Sequence, residues 1–320
     1  MTKTILDVVQ ECDNFVPEAE PTVYLKALQN YYKFRVNGFN QKLGYIHEET
    51  IGKIEWSCSW SIDHQQREVV LNTSLTATAD ERSQVVDETL KATKSKGSIS
   101  MLESWRDERF PVYGPEGEVL FEIERCASAL FGIVTYGVQL LCFTNDAHGL
   151  RLWVGKRSER KQTYPGMLDC TAAGGLGTGK LPIDGLLSEA QEEACLPAQM
   201  VREKARSMGH ITYFHVRGSK AGGEVDLLQP EIEYTYELEL ETDMAPKPGD
   251  SEVEAFSLYT IDEVVSALMR GLFKPNSAVV VVNFLIRHTV ITSENEVHYE
   301  NILSHLHREL DLPTMIYPYI

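Results

Sequence analysis

Three glutamates lie within six residues of one another in the segment Ser188-Glu-Ala-Gln-Glu-Glu193. Each residue of a helix advances by about 100°, so Glu189, Glu192 and Glu193 would share one strip of a helix surface. Neighbouring carboxylates repel one another unless a cation neutralises them, and oxygen ligands select hard cations such as Mg²⁺, Mn²⁺ or Ca²⁺. A solvated acidic helix face is the alternative that the triplet alone favours. The glutamates are therefore a candidate metal site that needs support from their surroundings.

A glycine-rich loop supplies that support. The segment Gly174-Gly-Leu-Gly-Thr-Gly-Lys180 leads into an amphipathic pattern that predicts a helix from Pro182 to Leu196, which Pro197 would end. Glycine has no Cβ, so this backbone can approach a metal or a phosphate closely, and the Gly174 carbonyl could complete the coordination. Mg²⁺ bound near a phosphate is the natural pairing. The loop and helix together favour the metal site over the solvated face.

The same segment resembles the Nudix box, G-x5-E-x7-R-E-U-x-E-E-x-G-U, where U is a bulky apolar residue. The match runs from Gly174 to Leu196 without insertion or deletion. The resemblance implies catalytic roles for Glu189, Glu192 and Glu193, whose family counterparts bind the metal ions and activate the attacking water. It also implies Mg²⁺ or Mn²⁺ as the cofactor, held by these glutamates and Gly174, and hydrolysis of a diphosphate linkage.

Segments outside the box extend the resemblance to the fungal Nudix branch related to thiamine pyrophosphokinase, which carries an N-terminal accessory domain. In that branch the implied substrates are thiamine diphosphate and its oxidised analogues, which are cut to the monophosphate. The matching segments include Trp105-Arg-Asp-Glu, Ser128-Ala-Leu-Phe-Gly-Ile, Thr163-Tyr-Pro-Gly-Met and Ile211-Thr-Tyr-Phe-His-Val-Arg.

Three residues depart from the box. Lys180 replaces a glutamate, Ser188 an arginine and Cys195 a glycine. The cysteine matters least, because Pro197 can still end the helix. The other two positions carry opposite charges in the family, and we infer that they brace the loop on the helix, so losing both avoids a stranded charge. The alternative is a Nudix-derived protein with lost or repurposed hydrolysis, either a ligand-binding protein or an enzyme of secondary metabolism.

Candidate substrate-binding residues flank the box. Lys156 and Arg157 end a predicted strand and could contact a diphosphate as charge-assisted donors, and Lys180 lies beside the carboxylates. A solvated strand end is the equally supported alternative for the first two.

Three further acids, Glu224, Glu231 and Glu233, follow the box in the region where many Nudix proteins supply an extra carboxylate as ligand or base. We select Glu231 as a substrate-binding candidate. Each of the three, taken alone, is more typical of an exposed strand or loop.

Composition limits the partners. The chain has 320 residues, with 47 acidic against 30 basic side chains and a formal charge of −17, which disfavours nucleic acid and anionic membranes but not a small diphosphate bound through a metal. Its 6 cysteines form no C-x-x-C pair, which argues against a zinc ribbon. The start has no signal-peptide pattern, so we expect a cytoplasmic protein. The oligomeric state stays open, with a homodimer as one option.

The order of the predicted helices and strands around these residues indicates an α/β fold. We expect a Nudix α/β/α sandwich with a mixed sheet over residues 119–320, and an α+β N-terminal domain over residues 1–118 that shapes the substrate cleft. The N-terminal segment shows a helical opening that includes Tyr31-Tyr32-Lys33-Phe34 and a helix from Ala79 to Gly97.

Overall fold

The computed structural model describes residues 2–17 and 20–318. None of the helices in these two ranges is long and apolar enough to span a membrane. The strands are β1 (Tyr31–Val36), β2 (Gly44–His47), β3 (Trp60–Asp63), β4 (Glu68–Leu71), β5 (Arg109–Tyr113), β6 (Val119–Glu124), β7 (Thr135–Asp146), β8 (Gly149–Arg157), β9 (Leu168–Asp169), β10 (Ala172–Gly175), β11 (Arg206–Val216), β12 (Leu228–Glu239) and β13 (Val253–Thr260). The α-helices are α1 (Ile5–Cys12), α2 (Pro21–Ala27), α3 (Glu48–Ile51), α4 (Ala79–Lys96), α5 (Ser128–Phe131), α6 (Pro182–Ala194), α7 (Ala198–Lys204), α8 (Ile261–Met269), α9 (Pro275–Arg287) and α10 (Tyr299–Leu306).

The N-terminal part is built on a four-stranded sheet in the order β2-β1-β4-β3 and on helix α4. Helix α4 begins with a capping box between Thr78 and Glu81 and ends at Gly97, whose φ of 69° is the left-handed conformation expected of a C-terminal glycine. The predicted helix from Ala79 to Gly97 is therefore confirmed.

The helical prediction for Tyr31 to Phe34 is wrong, because these residues form strand β1. Phe34 and Val36 are fully buried while Lys33 is exposed, which is the alternation of a half-buried strand. Aromatic and β-branched side chains fit this pleated surface, where β1 pairs with β2 and with β4. Tertiary pairing thus decides the local structure.

The larger sheet is mixed and seven-stranded, with the central order β11-β12-β7-β8-β13 and β10 and β9 paired to β7 and β8. Strands β12 and β7 are parallel, whereas the other pairs are antiparallel. Helices α6 and α7 pack on one face, and α1, α8, α9 and α10 cover the other. This arrangement confirms the predicted α/β/α sandwich.

The C-terminal segment links the two parts of the molecule. Asp311 accepts a hydrogen bond from the Tyr45 hydroxyl at 2.6 Å and forms an ion pair with Lys42, while the Met315 amide donates to the Tyr136 hydroxyl at 2.9 Å. The division expected at residue 118 falls in the turn between the paired strands β5 and β6, and it stays a prediction.

Candidate active site

Helix α6 places the three box glutamates at the edge of the sheet. Pro182 lies in its first turn, where a missing amide hydrogen costs nothing, and Leu186 and Ala190 are fully buried against the sheet. Glu189 and Glu192 consequently line a large cavity, whereas the buried Glu193 accepts a hydrogen bond from the Ala173 amide at 2.8 Å.

The end of α6 differs from our expectation. Cys195, not Pro197, ends the helix, with φ 54° and ψ 29° in the left-handed region that favours glycine. The loop between β12 and β13 completes this end, because the Lys247 and Gly249 amides donate to the Ala194 and Glu193 carbonyls at 3.0 and 3.2 Å. The position where the box usually has glycine therefore does adopt a glycine-like conformation.

Gly174 faces the carboxyl group of Glu189. A Cβ added to Gly174 would lie 2.1 Å from the Glu189 carboxyl carbon, so another side chain cannot fit without displacing that carboxyl group. Strand β10 holds Gly174 opposite Val138 of β7. The glycine-rich loop and the glutamate helix are thus fitted to each other at this point.

Burial and mutual repulsion favour protonation of two box glutamates. Burial and then the neighbouring Glu192 raise the pKa of Glu189 to about 7, although Arg125 and Lys180 oppose the rise. Burial and Asp169 raise the pKa of Glu193 to about 8, opposed by the hydrogen bond from Ala173. A bound cation would favour the ionised forms and lower both values.

The donor set fits a hard divalent cation by its chemistry. Glu189 and Glu192 present carboxylate oxygens to the cavity, and Gly174 adds a backbone carbonyl nearby, which are the ligand types that Mg²⁺ and Mn²⁺ prefer. Within residues 2–17 and 20–318, no three Asp, Glu, His or Cys side chains are arranged as a preformed metal site. Glu193 in particular is turned toward the Ala173 amide.

The cavity has a volume of about 790 Å³ and lies between the N-terminal part and the larger sheet. One wall consists of Met101, Arg106 and Phe110 from the N-terminal part and Arg125 directly after β6. The sheet, the glycine-rich loop, helix α6 and the residue before α9 contribute Gly137, Gln139, Gly174, Glu189, Glu192, Glu231, Glu233 and Lys274. Such a volume accommodates a small organic molecule.

The predicted basic residues are separated by the fold. Lys180 lines the cavity, but Lys156 forms an ion pair with Glu254 at 2.9 Å on a smaller neighbouring crevice. Arg157 is buried in the cavity wall, where its guanidinium binds Asp169 at 2.6 Å and the Thr163 carbonyl at 2.8 Å. Arg157 therefore fixes the chain after β8, and these acceptors already occupy its donors.

The three acids after the box have different surroundings. Glu231 lines the cavity and accepts hydrogen bonds from Thr135 at 2.9 Å and from Gln229 at 2.8 Å. Glu233 is buried at the cavity floor. Glu224 instead accepts hydrogen bonds from the backbone amides of residues 100 and 101 at 2.7 and 3.0 Å, which attaches its loop to the N-terminal part.

Arg125 is a site residue that the sequence did not indicate. It lines the cavity, is paired with Glu108 at 2.8 Å and lowers the pKa of Glu189 by its charge. Because Arg125 lies 64 residues before Glu189 in the sequence, no local spacing connects them. Only the packing of the N-terminal part against the box reveals it.

Comparison with known proteins identifies the family. Residues 4–135 match a family model described as "Domain of unknown function (DUF4743)". The chain is 33% identical over 286 residues to uncharacterized protein YJR142W of Saccharomyces cerevisiae, in an alignment that covers 86% of this chain and 82% of the yeast protein. It is 32% identical over 276 residues to Nudix hydrolase 20, chloroplastic, of Arabidopsis thaliana, in an alignment that covers 86% of this chain and 65% of the plant protein. The similarity to this plant Nudix hydrolase supports membership of the Nudix hydrolase superfamily.

The predicted Nudix membership is thereby supported. Among solved structures, a Nudix hydrolase from M. smegmatis, RenU, is 12% identical with a TM-score of 0.36, and the match covers 58% of this chain and 98% of RenU. The relationship to a protein named a Nudix hydrolase does not favour the alternative of a Nudix-derived protein without hydrolysis.

Proposed function

We propose that this Nudix protein hydrolyses a diphosphate linkage of a small molecule with the help of Mg²⁺ or Mn²⁺. One observation carries the proposal: Glu189 and Glu192 line a cavity of about 790 Å³ that also contains the cations Arg125 and Lys180. Carboxylates that hold a metal, next to cations that attract phosphate, are the arrangement that phosphoryl chemistry requires.

The protein residues have separate tasks in this reaction. Glu189, Glu192, Glu193 and the Gly174 carbonyl would hold the metal, which when bound activates water and stabilises charge on the phosphoryl oxygens. Lys180 and Arg125 attract and orient the diphosphate through charge-assisted hydrogen bonds. Glu189 faces the cavity, where its carboxylate can accept a proton from the attacking water.

Thiamine diphosphate or an oxidised analogue is the leading substrate. The resemblance of segments on both sides of the box to the fungal thiamine pyrophosphokinase-related branch supports it, and the N-terminal part would act as the accessory domain that walls the cleft. The formal charge of −17 supports a small-molecule partner over nucleic acid or an anionic membrane. A cytoplasmic location stays a prediction.

Phosphate release tests this function. Thiamine, nucleoside, sugar and isoprenoid diphosphates are incubated with the protein and Mg²⁺, and the best substrate is then used for variants. We expect Glu192→Gln and Glu193→Gln to lower turnover by about 100-fold or more, because each removes a metal ligand. Glu203→Gln, exposed on α7, is the matched control and should keep full activity. Native circular dichroism must accompany the loss.

Full activity in both box variants would remove the metal-site assignment. Hydrolysis of none of the four diphosphate classes would overturn the proposed function as a whole.

A further inference from the structure

A buried glutamate lies on the cavity floor away from the box helix. Glu233 of β12 is 5% exposed and is paired in register with Gly137 of the parallel strand β7. A Cβ added to Gly137 would lie 2.3 Å from Glu233 Oε2. The glycine therefore leaves the space in which the Glu233 carboxyl group folds over the neighbouring strand, and both residues line the cavity.

One oxygen of this carboxyl group is satisfied and the other is not. Oε1 accepts a hydrogen bond from Asn276 at 3.0 Å and lies 3.1 Å from the Tyr213 hydroxyl, which also donates to the closer Glu231. In the described part of the chain, Oε2 is buried and has no hydrogen-bond partner. A buried oxygen without a partner is destabilising, so a ligand that donates to it would be favoured on a cavity wall.

A second unsatisfied group lies beside the first. Gln139 is 2% exposed and follows Gly137 by two residues on β7, so both side-chain positions are on the same face of the sheet. Its Oε1 atom is also buried and without a hydrogen-bond partner in residues 2–17 and 20–318. Two neighbouring strands thus present unpaired oxygens to one region of the cavity.

The electrostatics favour a nitrogen over a hydroxyl as the missing partner. Burial and the adjacent Glu231 raise the pKa of Glu233 to about 7, against the opposing effects of Lys274, Asn276 and Tyr213. A carboxyl group of this kind can share one proton with a basic nitrogen, and the charge-assisted bond is roughly twice as strong as a neutral one. A hydroxyl can donate to the carboxylate, but unlike a basic nitrogen it cannot take up the carboxyl proton.

The cavity wall favours an aromatic ring as the carrier of that nitrogen. Phe110 and Tyr164 line the cavity, and aromatic side chains preferentially pack on planar rings.

We propose that Glu233 and Gln139 form a subsite that binds a nitrogen-containing aromatic ring on the organic half of the substrate. The subsite specifies the organic half of the substrate of the proposed function. It depends on that function only because the ring is taken to be attached to a diphosphate. It makes Glu233 a specificity-determining residue, since a ring without nitrogen would leave Oε2 unpaired in a buried place.

Ligands that differ from one another in one ring atom test the subsite. The three isomeric pyridylmethyl diphosphates and benzyl diphosphate are compared as substrates by kcat/KM, and the corresponding monophosphates are compared by Kd in calorimetry. We expect the wild-type protein to prefer the best pyridylmethyl ligand over benzyl by about 10-fold or more in both measurements. Glu233→Gln should reduce that preference below about 3-fold.

Two further variants complete the design. Glu239→Gln, exposed at the end of the same strand, is the matched control and should retain the preference. Gly137→Ala keeps the carboxyl group but occupies its space, so it should reduce the preference as Glu233→Gln does. Melting temperatures near the wild-type value establish that both variants fold.

The outcomes separate the two proposals. Monophosphate binding with the expected preference but no diphosphate hydrolysis would sink the proposed function and support the subsite. Hydrolysis without any preference for pyridylmethyl, or a preference unchanged in both Glu233→Gln and Gly137→Ala, would overturn the subsite. Stronger binding of hydroxybenzyl than of pyridylmethyl monophosphate would also overturn it, because a hydroxyl would then be the partner.

Discussion

Three glutamates in or beside the cavity have raised pKa values. The pKa values of Glu189, Glu193 and Glu233 are about 7, 8 and 7, all above the ordinary value near 4.5, with burial as the first cause in each case. A folded-state pKa that is raised in an acid means that the folded protein retains a proton which the unfolded chain has lost. Their ionisation therefore opposes folding between about pH 4.5 and 8.

The pH dependence of stability in a Glu233 variant tests the raised pKa of this residue. The carboxyl group makes its most favourable contribution to the free energy of unfolding below about pH 4.5, and that contribution is lost as pH rises through about 7. Glu233→Gln cannot ionise, so its stability relative to wild type should improve by about 1–3 kcal/mol between pH 5 and pH 8. Urea denaturation at the two pH values, without divalent cations, measures the change.

Glu239→Gln, exposed on the same strand, should show the same difference from wild type at both pH values. An equal effect of Glu233→Gln at pH 5 and pH 8 would contradict the raised pKa.

At the scale of elements, the end of α6 sets the positions of the box glutamates. Cys195 adopts φ 54°, and a residue with a Cβ in this left-handed conformation costs about 1–2 kcal/mol relative to glycine. Glycine loses more backbone entropy on folding, which offsets part of that gain. Cys195→Gly should therefore raise the free energy of unfolding by about 1 kcal/mol, measured by urea denaturation.

Cys195→Ala is the matched control for the helix end. Alanine retains a Cβ in the left-handed conformation and removes only an exposed thiol, so its stability should stay within about 0.5 kcal/mol of wild type. If the glycine variant is no more stable than the alanine variant, the backbone conformation of residue 195 is not the cause.

The sequence predicted elements where the local pattern agrees with the packing. Helix α4 has nearly the predicted bounds of Ala79 and Gly97, because its capping residue Thr78 and its C-terminal glycine both favour a helix there. The helical prediction for Tyr31 to Phe34 was wrong because the local sequence does not distinguish a buried strand from an aromatic helix. The pairing of β1 with β2 and β4 determines that this segment is a strand. The conformation of Cys195 was missed because a cysteine rarely adopts positive φ.

The sequence indicated cavity-lining residues within the box and on β12, but not those that distant segments bring to the cavity. Glu189 and Gly174 contact each other through local chain geometry, so their spacing is informative. Arg125 reaches the same cavity through contacts between distant segments, which no spacing reveals. Lys156 lies outside this cavity, where its charge is paired with Glu254 beside a different crevice, so its predicted contact with substrate stays a prediction.

On the scale of the whole molecule, the cavity exists only where the N-terminal part meets the larger sheet. Its walls come from both parts, so the contacts between them determine its shape. The loop after β11 is one such contact, because Glu224 accepts hydrogen bonds from the amides of Ser100 and Met101. In the same loop, a Cβ added to Gly223 would lie 2.4 Å from the Met101 side chain.

Removing the Glu224 carboxylate should loosen the cavity wall without unfolding the protein. In Glu224→Ala we expect the amides of Ser100 and Met101 to exchange with deuterium about 10-fold faster, because local opening no longer breaks hydrogen bonds to a carboxylate. Glu224 is only half-buried and lies in a loop, so the global free energy of unfolding should change by less than about 1 kcal/mol. The substrate KM should rise more than kcat falls, since the chemical groups on α6 are untouched.

Glu203→Ala, exposed on α7, is the control for both measurements. Unchanged exchange at residues 100 and 101 would show that the carboxylate does not hold the two parts together, whereas a fall in kcat at constant KM would place Glu224 in the reaction itself.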